Sequence, residues 1–379
     1  MGVRDAIVVG AGPSGSYLSY ELSRMGYDVL NLEEHNEVGK PVECTGLVSE
    51  RVFRYVKSRA KVNSVSGAHI YFPNGEEVHV AKSEKTIVME RDVFDRDAAG
   101  QSIGAGTDLR LGSKVSGIKV GKESVRVTFR ENGNTREEEC RVVVGADGVN
   151  SVVRKEVFRT RPSRIISTYQ VDSSFRMEDQ DSVDVYLGSE SSKGFFGWAT
   201  PSGDISRIGV GSYGQPFNYF SNINRRFKGE RILGINGGGI PITYLKRTYS
   251  DRCLLVGDAA GIVKPLTGGG IYTGIVSASH AARTLEKALE NNNLSSTSLS
   301  SYQRRWKRDI GKELFFDGLI QRIFGHLSDK SLNRIYEVIS DEKVIGTINS
   351  RGDIDYPSRL IIPLLLKNPG LIKHLFKVS

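Results

Sequence analysis

The chain lacks any apolar run of the roughly 18 or more residues that a membrane-spanning helix needs. Its three cysteines, Cys44, Cys140 and Cys253, are too few and too scattered for a disulfide framework, a zinc site or an iron–sulfur cluster, so no metal is expected. It contains no zinc-finger, RNP or other nucleic-acid signature, and no internal repeat. The first residues lead directly into a strand pattern, so no signal peptide is expected and the protein is read as cytoplasmic. The apolar and charged fractions, 39% and 25%, are those of a globular protein, and 379 residues suffice for two interleaved domains. The charge balance, 52 − 44 = +8 with a pI near 9.2, fits either a solubilising surface or an acidic partner such as anionic lipid.

The best-defined feature that is present lies between Asp5 and Glu34. Ala6 to Val9 form a short apolar run suited to a buried parallel strand, and Leu18, Leu22 and Met25 then recur at helical spacing until Gly26. Gly10, Gly12 and Gly15 sit between the two in G-x-G-x-x-G spacing. Gly10 permits a tight turn, Gly12 lets a pyrophosphate approach the backbone, and Gly15 lets helix and strand pack closely. A second strand, Asp28 to Leu32, ends at Glu33, 33 − 15 = 18 residues after the last glycine, about where an acid that binds ribose hydroxyls is expected. These residues predict a bound dinucleotide without saying which.

Further along, paired strands are predicted around His69 to Val80, with a turn at Pro73-Asn74-Gly75, and a helix from about Arg91 to Ile103. A meander follows, turning at Asn132-Gly133 and ending in the buried run Arg141 to Val144 and the turn Gly145-Ala146-Asp147-Gly148. Alternating strands without helical periodicity occupy about 164–244. Cys253 to Val256 is a third buried strand, followed by Gly257-Asp258 and a helix from about Gly270 to Glu290. The Ser-rich stretch Asn291 to Ser301 reads as a linker. The expected fold is α/β: a discontinuous Rossmann-type nucleotide domain (1–65, 84–160 and 245–292), an inserted antiparallel β-sheet substrate domain (66–83 and 161–244), and a C-terminal helical region (297–379).

Three glycine-rich turns at the carboxyl ends of buried strands can enclose one long ligand. Their order, the glycine fingerprint, then Gly145-Ala146-Asp147-Gly148, then Gly257-Asp258, resembles flavoproteins of the glutathione-reductase and p-hydroxybenzoate-hydroxylase type. That resemblance implies FAD, with Glu33, Glu34, Ala146 and Asp147 among its ligands, Asp258 on the ribitol and Arg91 at the flavin. Gly268, Gly269, Gly270 and Ile271, at the start of a helix, would then face the isoalloxazine, where the positive helix end favours an anionic reduced flavin.

A second motif narrows the chemistry. Pro41-Val42-Glu43-Cys44-Thr45-Gly46-Leu47-Val48-Ser49 fits P-x-x-C-x-G-x-x-S, and Phe196-Gly197-Trp198-Ala199-Thr200-Pro201 resembles Y-x-W-x-F-P, with Phe196 for Tyr and Thr200 for Phe. Together they resemble the geranylgeranyl reductases, above all the archaeal digeranylgeranylglycerophospholipid reductases. The resemblance implies an FAD-dependent reductase of prenyl double bonds, with Cys44 catalytic and beside the flavin, and Phe196, Trp198 and Pro201 on the isoprenoid wall. Its expected partners are a geranylgeranyl lipid and an electron donor that is a nicotinamide, a ferredoxin or a deazaflavin. Core packing is the competing role for the aromatic residues, as a small buried hydrophobe is for Cys44. The segment from Arg359 to Lys377, apolar but interrupted by Pro363 and Pro369 and flanked by Arg and Lys, fits either an interfacial anchor on the inner face of the cell membrane or a lid packed on the core. The FAD motifs alone also fit a flavin monooxygenase or a prenyl-lipid-binding protein without catalysis.

Overall fold

The computed structural model describes residues 2–227 and 231–356. The segment from Arg359 to Lys377 therefore lies outside the described residues. The chain opens as β1 (Arg4–Val9), α1 (Pro13–Arg24) and β2 (Val29–Leu32), with β1 and β2 parallel. Pro13 occupies the first turn of α1, where its missing N–H costs nothing. A short strand, β3 (Leu47–Ser49), and a 3-10 turn at Glu50–Arg54 come next. Two long strands follow, β4 (Lys61–Tyr71) and β5 (Glu77–Met89), then α2 (Arg91–Gly104) and β6 (Asp108–Arg110). The meander is β7 (Ser113–Val120), β8 (Val125–Glu131) and β9 (Asn134–Gly145), with Asn132 and Gly133 both at positive φ, 51° and 79°, as a two-residue hairpin turn requires.

The second half contains β10 (Ile165–Ser173), β11 (Ser182–Tyr186), β12 (Gly197–Ser202), β13 (Ile205–Ser212), α3 (Phe217–Asn224), β14 (Ile232–Asn236) and β15 (Gly239–Pro241). The chain then returns through β16 (Tyr249–Ser250), β17 (Cys253–Leu255) and the long α4 (Ile271–Glu290). Four helices follow: α5 (Ser296–Trp306), α6 (Lys312–Phe324), α7 (Asp329–Ile339) and α8 (Glu342–Arg351). Among the described residues no helix is long and apolar enough to cross a membrane.

Two sheets result. The first has the order β16-β17-β9-β1-β2-β6, with β7 and β8 added to β9 as an antiparallel meander. β9 serves both parts: its first half pairs antiparallel with β8, and its second half, Cys140 to Gly145, runs parallel to β1. The strands at the centre of this sheet are covered on both faces, which is why they read as unbroken apolar runs. The second sheet has the order β14-β10-β13-β12-β11-β4-β5-β3 and is antiparallel except where β11 meets β4.

Two expectations need correction. The second sheet takes in Leu47–Ser49 and the whole of β4 and β5, beyond the 66–83 segment assigned from sequence. Register shifts at Lys61/Asn63 and Val65/Gly67 break the two-residue alternation there, so only the regular stretch was visible. The Ser-rich linker is shorter than expected, because Ser295 caps α5 by accepting the Ser298 N–H. Leu299, Tyr302 and Trp306 of α5 are fully buried in the core of the first sheet, so this helix belongs to the nucleotide domain.

Candidate active site

The glycine fingerprint forms the turn that its spacing demands. Gly10 has φ +97°, and a Cβ there would lie 2.6 Å from the Ala146 carbonyl. At Gly15 a Cβ would lie 2.0 Å from the Gly10 carbonyl, so no side chain fits between helix and strand. Gly12 has nothing within 4 Å of its Cβ position, and the α1 N-terminus that it opens has no side-chain cap. Free N–H groups and open space are what a pyrophosphate needs. Glu33 is buried at the end of β2, its Oε2 accepting the Ala11 N–H at 2.8 Å and its Oε1 accepting the His35 N–H at 3.0 Å. Glu34 faces outward and pairs with Lys114 at 2.6 Å.

The second turn is held from within. Asp147 Oδ2 accepts the N–H groups of Val152 and Val153, at 2.7 and 3.1 Å, while Oδ1 is buried without a partner among the described residues. Ala146 donates its N–H to Val9, tying this turn to the fingerprint. Arg154 lies buried behind and donates to the Ala259 carbonyl at 3.0 Å, which links the second turn to the third.

In the third turn, Asp258 meets the start of α4. A Cβ on Gly270 would lie 2.8 Å from Asp258 Oδ1, and the N-terminus of α4 has no side-chain cap. Among the described residues no donor hydrogen-bonds the Asp258 carboxylate. Burial pushes its pKa up to about 6, a rise that Arg91 and Arg154 oppose and Glu43 reinforces. Gly268, at φ +76°, sits against Ile240 and Phe195, and Gly269 rests on the aliphatic end of Lys264.

The Cys44 loop comes to the same place. Cys44 is partly buried, and its Sγ accepts the Gly46 N–H at 3.3 Å. Arg91, at the start of α2, faces both Cys44 and Asp95, with Nη2 2.9 Å from Asp95 Oδ2. Burial opposes the Arg91 charge, but these two partners outweigh it and raise the pKa. Cys140 and Cys253 are fully buried in the core, where burial pushes the Cys140 thiol up to about 12 and raises that of Cys253.

Two residues without any motif join the parts. Arg207, on β13 and 3% exposed, donates through Nη1 to the Thr45 carbonyl at 2.7 Å and the Met89 carbonyl at 2.9 Å. Gln170, on β10, accepts the Thr45 hydroxyl at 2.7 Å and the Trp198 Nε1–H at 3.1 Å with the same Oε1. The Cys44 motif and the Trp198 motif thus meet on a single amide oxygen. Gly209, across the strand from Trp198, leaves the room into which the indole lies. Phe196 stacks on Phe195 with centroids 4.1 Å apart and meets Trp198 edge-on at 6.1 Å, making an aromatic wall. Pro201 is not on that wall; it is buried at the far end of β12, where its carbonyl accepts from Asn63. Strand alternation would have placed Arg207 and Gln170 inward, but no spacing rule marks either as functional.

A sequence-family description, FAD binding domain, matches residues 4–218 and 231–312. A digeranylgeranylglycerophospholipid reductase of Methanococcus vannielii is 30% identical over 98% of this chain and 97% of its own length. Digeranylgeranylglycerophospholipid reductase 2 of Methanopyrus kandleri is 28% identical over 98% of this chain and 99% of its own. The crystal structure of a geranylgeranyl bacteriochlorophyll reductase-like protein from Thermoplasma acidophilum superposes with a TM-score of 0.86 at 24% identity, covering 97% of this chain and 99% of that one. The chain belongs to the FAD-binding family of the geranylgeranyl reductases. It is an FAD-dependent oxidoreductase.

For a member of this family the residues present fit the cofactor. Two uncapped helix N-termini, a fingerprint glycine with open space around it and a carboxylate without a donor are positions where phosphate oxygens and sugar hydroxyls supply the missing partners.

The site has one more layer. Lys264, 4% exposed beneath Gly269, is 3.0 Å from Asp355 Oδ1, and Asp355 Oδ2 is 3.2 Å from Arg51 Nη1. Arg51 follows the strand that ends the Cys44 motif. A single buried carboxylate therefore fastens the Gly268–Gly270 turn to the segment that follows the Cys44 motif. Tyr356, next to it, exchanges a hydrogen bond at 3.1 Å with Tyr272 in the first turn of α4.

Proposed function

We propose that this protein saturates the prenyl double bonds of geranylgeranyl chains, on archaeal-type digeranylgeranylglycerophospholipids. The observation that carries this reading is the convergence of the Cys44 loop and the Trp198 wall on Gln170, in a loop whose Glu43 also acts on the charge of Asp258. Two relatives named as reductases of such lipids, matched over nearly their whole length, support it.

When bound and reduced, FAD supplies a hydride to one carbon of the alkene. The chain's own residues do the rest. Gly10, Gly12 and Gly15 receive the pyrophosphate, Glu33 the adenosine ribose and Asp258 the ribitol, while Gly268 to Ile271 present the α4 N-terminus to the isoalloxazine. Phe196 and Trp198 give the isoprenoid an apolar wall. An isolated alkene is a poor hydride acceptor, so a proton must reach the other carbon, and Cys44 is the residue we assign to that step, a role supported by its position against Gly46 and Arg91. Electrons enter from a nicotinamide, a ferredoxin or a deazaflavin, and the basic chain meets its substrate at the inner membrane surface as a peripheral protein.

The decisive experiment incubates dithionite-reduced, FAD-loaded protein with digeranylgeranyl phospholipid and reads the lipid by mass spectrometry. The expected product gains two hydrogens for each double bond saturated. An unchanged mass overturns the reading, and the gain of one oxygen in air establishes a hydroxylase instead.

A further inference from the structure

Away from the flavin site, on the sheet that carries the aromatic wall, two histidines face each other across a strand pair. His69 on β4 lies directly opposite His79 on β5, so both side chains leave the sheet on one face, and their rings stack with centroids 4.5 Å apart. Both Nε2 atoms face the turn that enters β11: His69 Nε2 is 2.9 Å from Asp179 Oδ2, and His79 Nε2 is 3.1 Å from the Ser182 hydroxyl.

We propose that His69, His79 and Asp179 form a site for a divalent transition-metal ion, with Zn2+ as the chemistry that fits best. One donor atom from each residue can be chosen so that all three lie within 4.8 Å of one another. Ligands about 2.1 Å from a tetrahedral zinc stand about 3.4 Å apart, so small side-chain rotations close the set and leave the fourth position open.

Two independent features prepare these side chains for a cation. His69 Nδ1 is hydrogen-bonded to the Glu77 carboxylate, which would keep the Nδ1 proton in place and leave Nε2 to the ion once the proton shared with Asp179 is displaced. Gly67, two residues before His69, is the second. A Cβ there would lie 2.8 Å from His79 Nε2 and 2.5 Å from Ser182 Oγ. The backbone at Gly67 is not in the left-handed region, so the conformation does not demand glycine; the space around His79 does.

The surroundings favour a cation as well. A cavity of about 240 Å³ beside His69 carries Glu178, Asp179 and Asp184 on a wall otherwise made by Tyr71, Phe175, Met177 and Phe227. Asp184 pairs in register with His69. This local concentration of carboxylates stands out in a chain whose net charge is +8. A bound ion would displace the proton shared between His69 and Asp179 and cross-link β4, β5 and the turn before β11. The site uses no residue of the reductase machinery.

The test is calorimetric titration of Zn2+ into tag-free, FAD-loaded protein that has been stripped with chelator. One equivalent is expected to bind, with the affinity reduced about tenfold or more in His79→Gln and in Asp179→Asn. Gly67→Ala, which fills the space rather than removing a ligand, is expected to weaken binding too, with flavin absorbance reporting that the variant is folded. Zn2+ should raise the unfolding temperature of the unaltered protein and leave that of His79→Gln unmoved. Absence of stoichiometric binding, or binding unchanged in a His69→Gln/His79→Gln double variant, overturns the proposal.

Discussion

Asp317 offers a quantitative test of how this structure stores charge. It lies on the inner face of α6, 0% exposed, and neither carboxylate oxygen has a hydrogen-bond partner among the described residues. Burial pushes its pKa up to about 7 from an ordinary 3.8, with Glu313 adding to the rise and Lys264 opposing it. The folded state therefore holds the proton over a range of pH in which the unfolded chain has released it. Between about pH 4 and pH 7 the folded protein binds more protons than the unfolded one, so stability falls as pH rises, by about 1.4 kcal/mol per pH unit. The full penalty above pH 7 is on the order of 4 kcal/mol. Asp317→Asn keeps the shape of the protonated acid and cannot ionise. Unfolding temperatures of the two proteins, measured by differential scanning fluorimetry from pH 4 to pH 8.5, should nearly coincide at the acidic end. The variant should then gain steadily to about pH 7 and hold a constant lead above it. A lead independent of pH, or one that shrinks as pH rises, would refute the reasoning, because it would mean that Asp317 is ionised throughout or is met by a donor.

Three further outcomes are expected. Asp258→Ala removes the carboxylate at the α4 N-terminus and should weaken FAD binding by about 1.5–3 kcal/mol, a tenfold to hundredfold rise in Kd by fluorescence titration. Asp355→Asn leaves Lys264 buried without its counter-charge, and should cost about 3 kcal/mol of stability while also lowering flavin occupancy, read from absorbance of the purified protein. Cys44→Ser should retain FAD and lose prenyl reduction, and a variant with full alkene reduction would remove Cys44 from the proton step.

What the sequence disclosed, and what it hid, follow from local physics. The β1–α1–β2 unit was legible because a strand covered on both faces must be a short apolar run, and because Gly10 and Gly15 stand where a side chain would strike backbone. The Asn132-Gly133 turn was legible for a related reason, since few residues accept positive φ twice in succession. Neighbouring segments gave no such signal. α6 reverses the usual pattern: Glu313, Asp317 and Gln321 are buried at four-residue spacing while Phe315 and Leu319 are 58% and 41% exposed. Periodicity read in the usual sense turns this helix the wrong way round. The inward polar row has partners that only the fold supplies, as when Gln321 donates to the Gly194 carbonyl at 3.0 Å, just before the aromatic wall. Arg207 and Asp355 were hidden in the same way, since each acts on residues more than 80 positions distant in the chain.

The Cys44 loop shows why the motifs were visible and the site was not. Its last residues form β3 and pair with β5, which ties it to the second sheet, while Arg91 faces Cys44 from the start of α2. Thr45 alone contributes its hydroxyl to Gln170 and its carbonyl to Arg207. A loop fixed by so many separate elements is costly to move, since each contact holds a buried polar group whose release would leave it unpaired. Rigidity of this kind suits a reaction in which a cofactor face, an alkene and an acid must stand in register within a fraction of an ångström. The segment between the first and second sheets thus behaves as a shared part of both. Placing Cys44 therefore depends less on its own motif than on Arg207, Gln170 and Asp355.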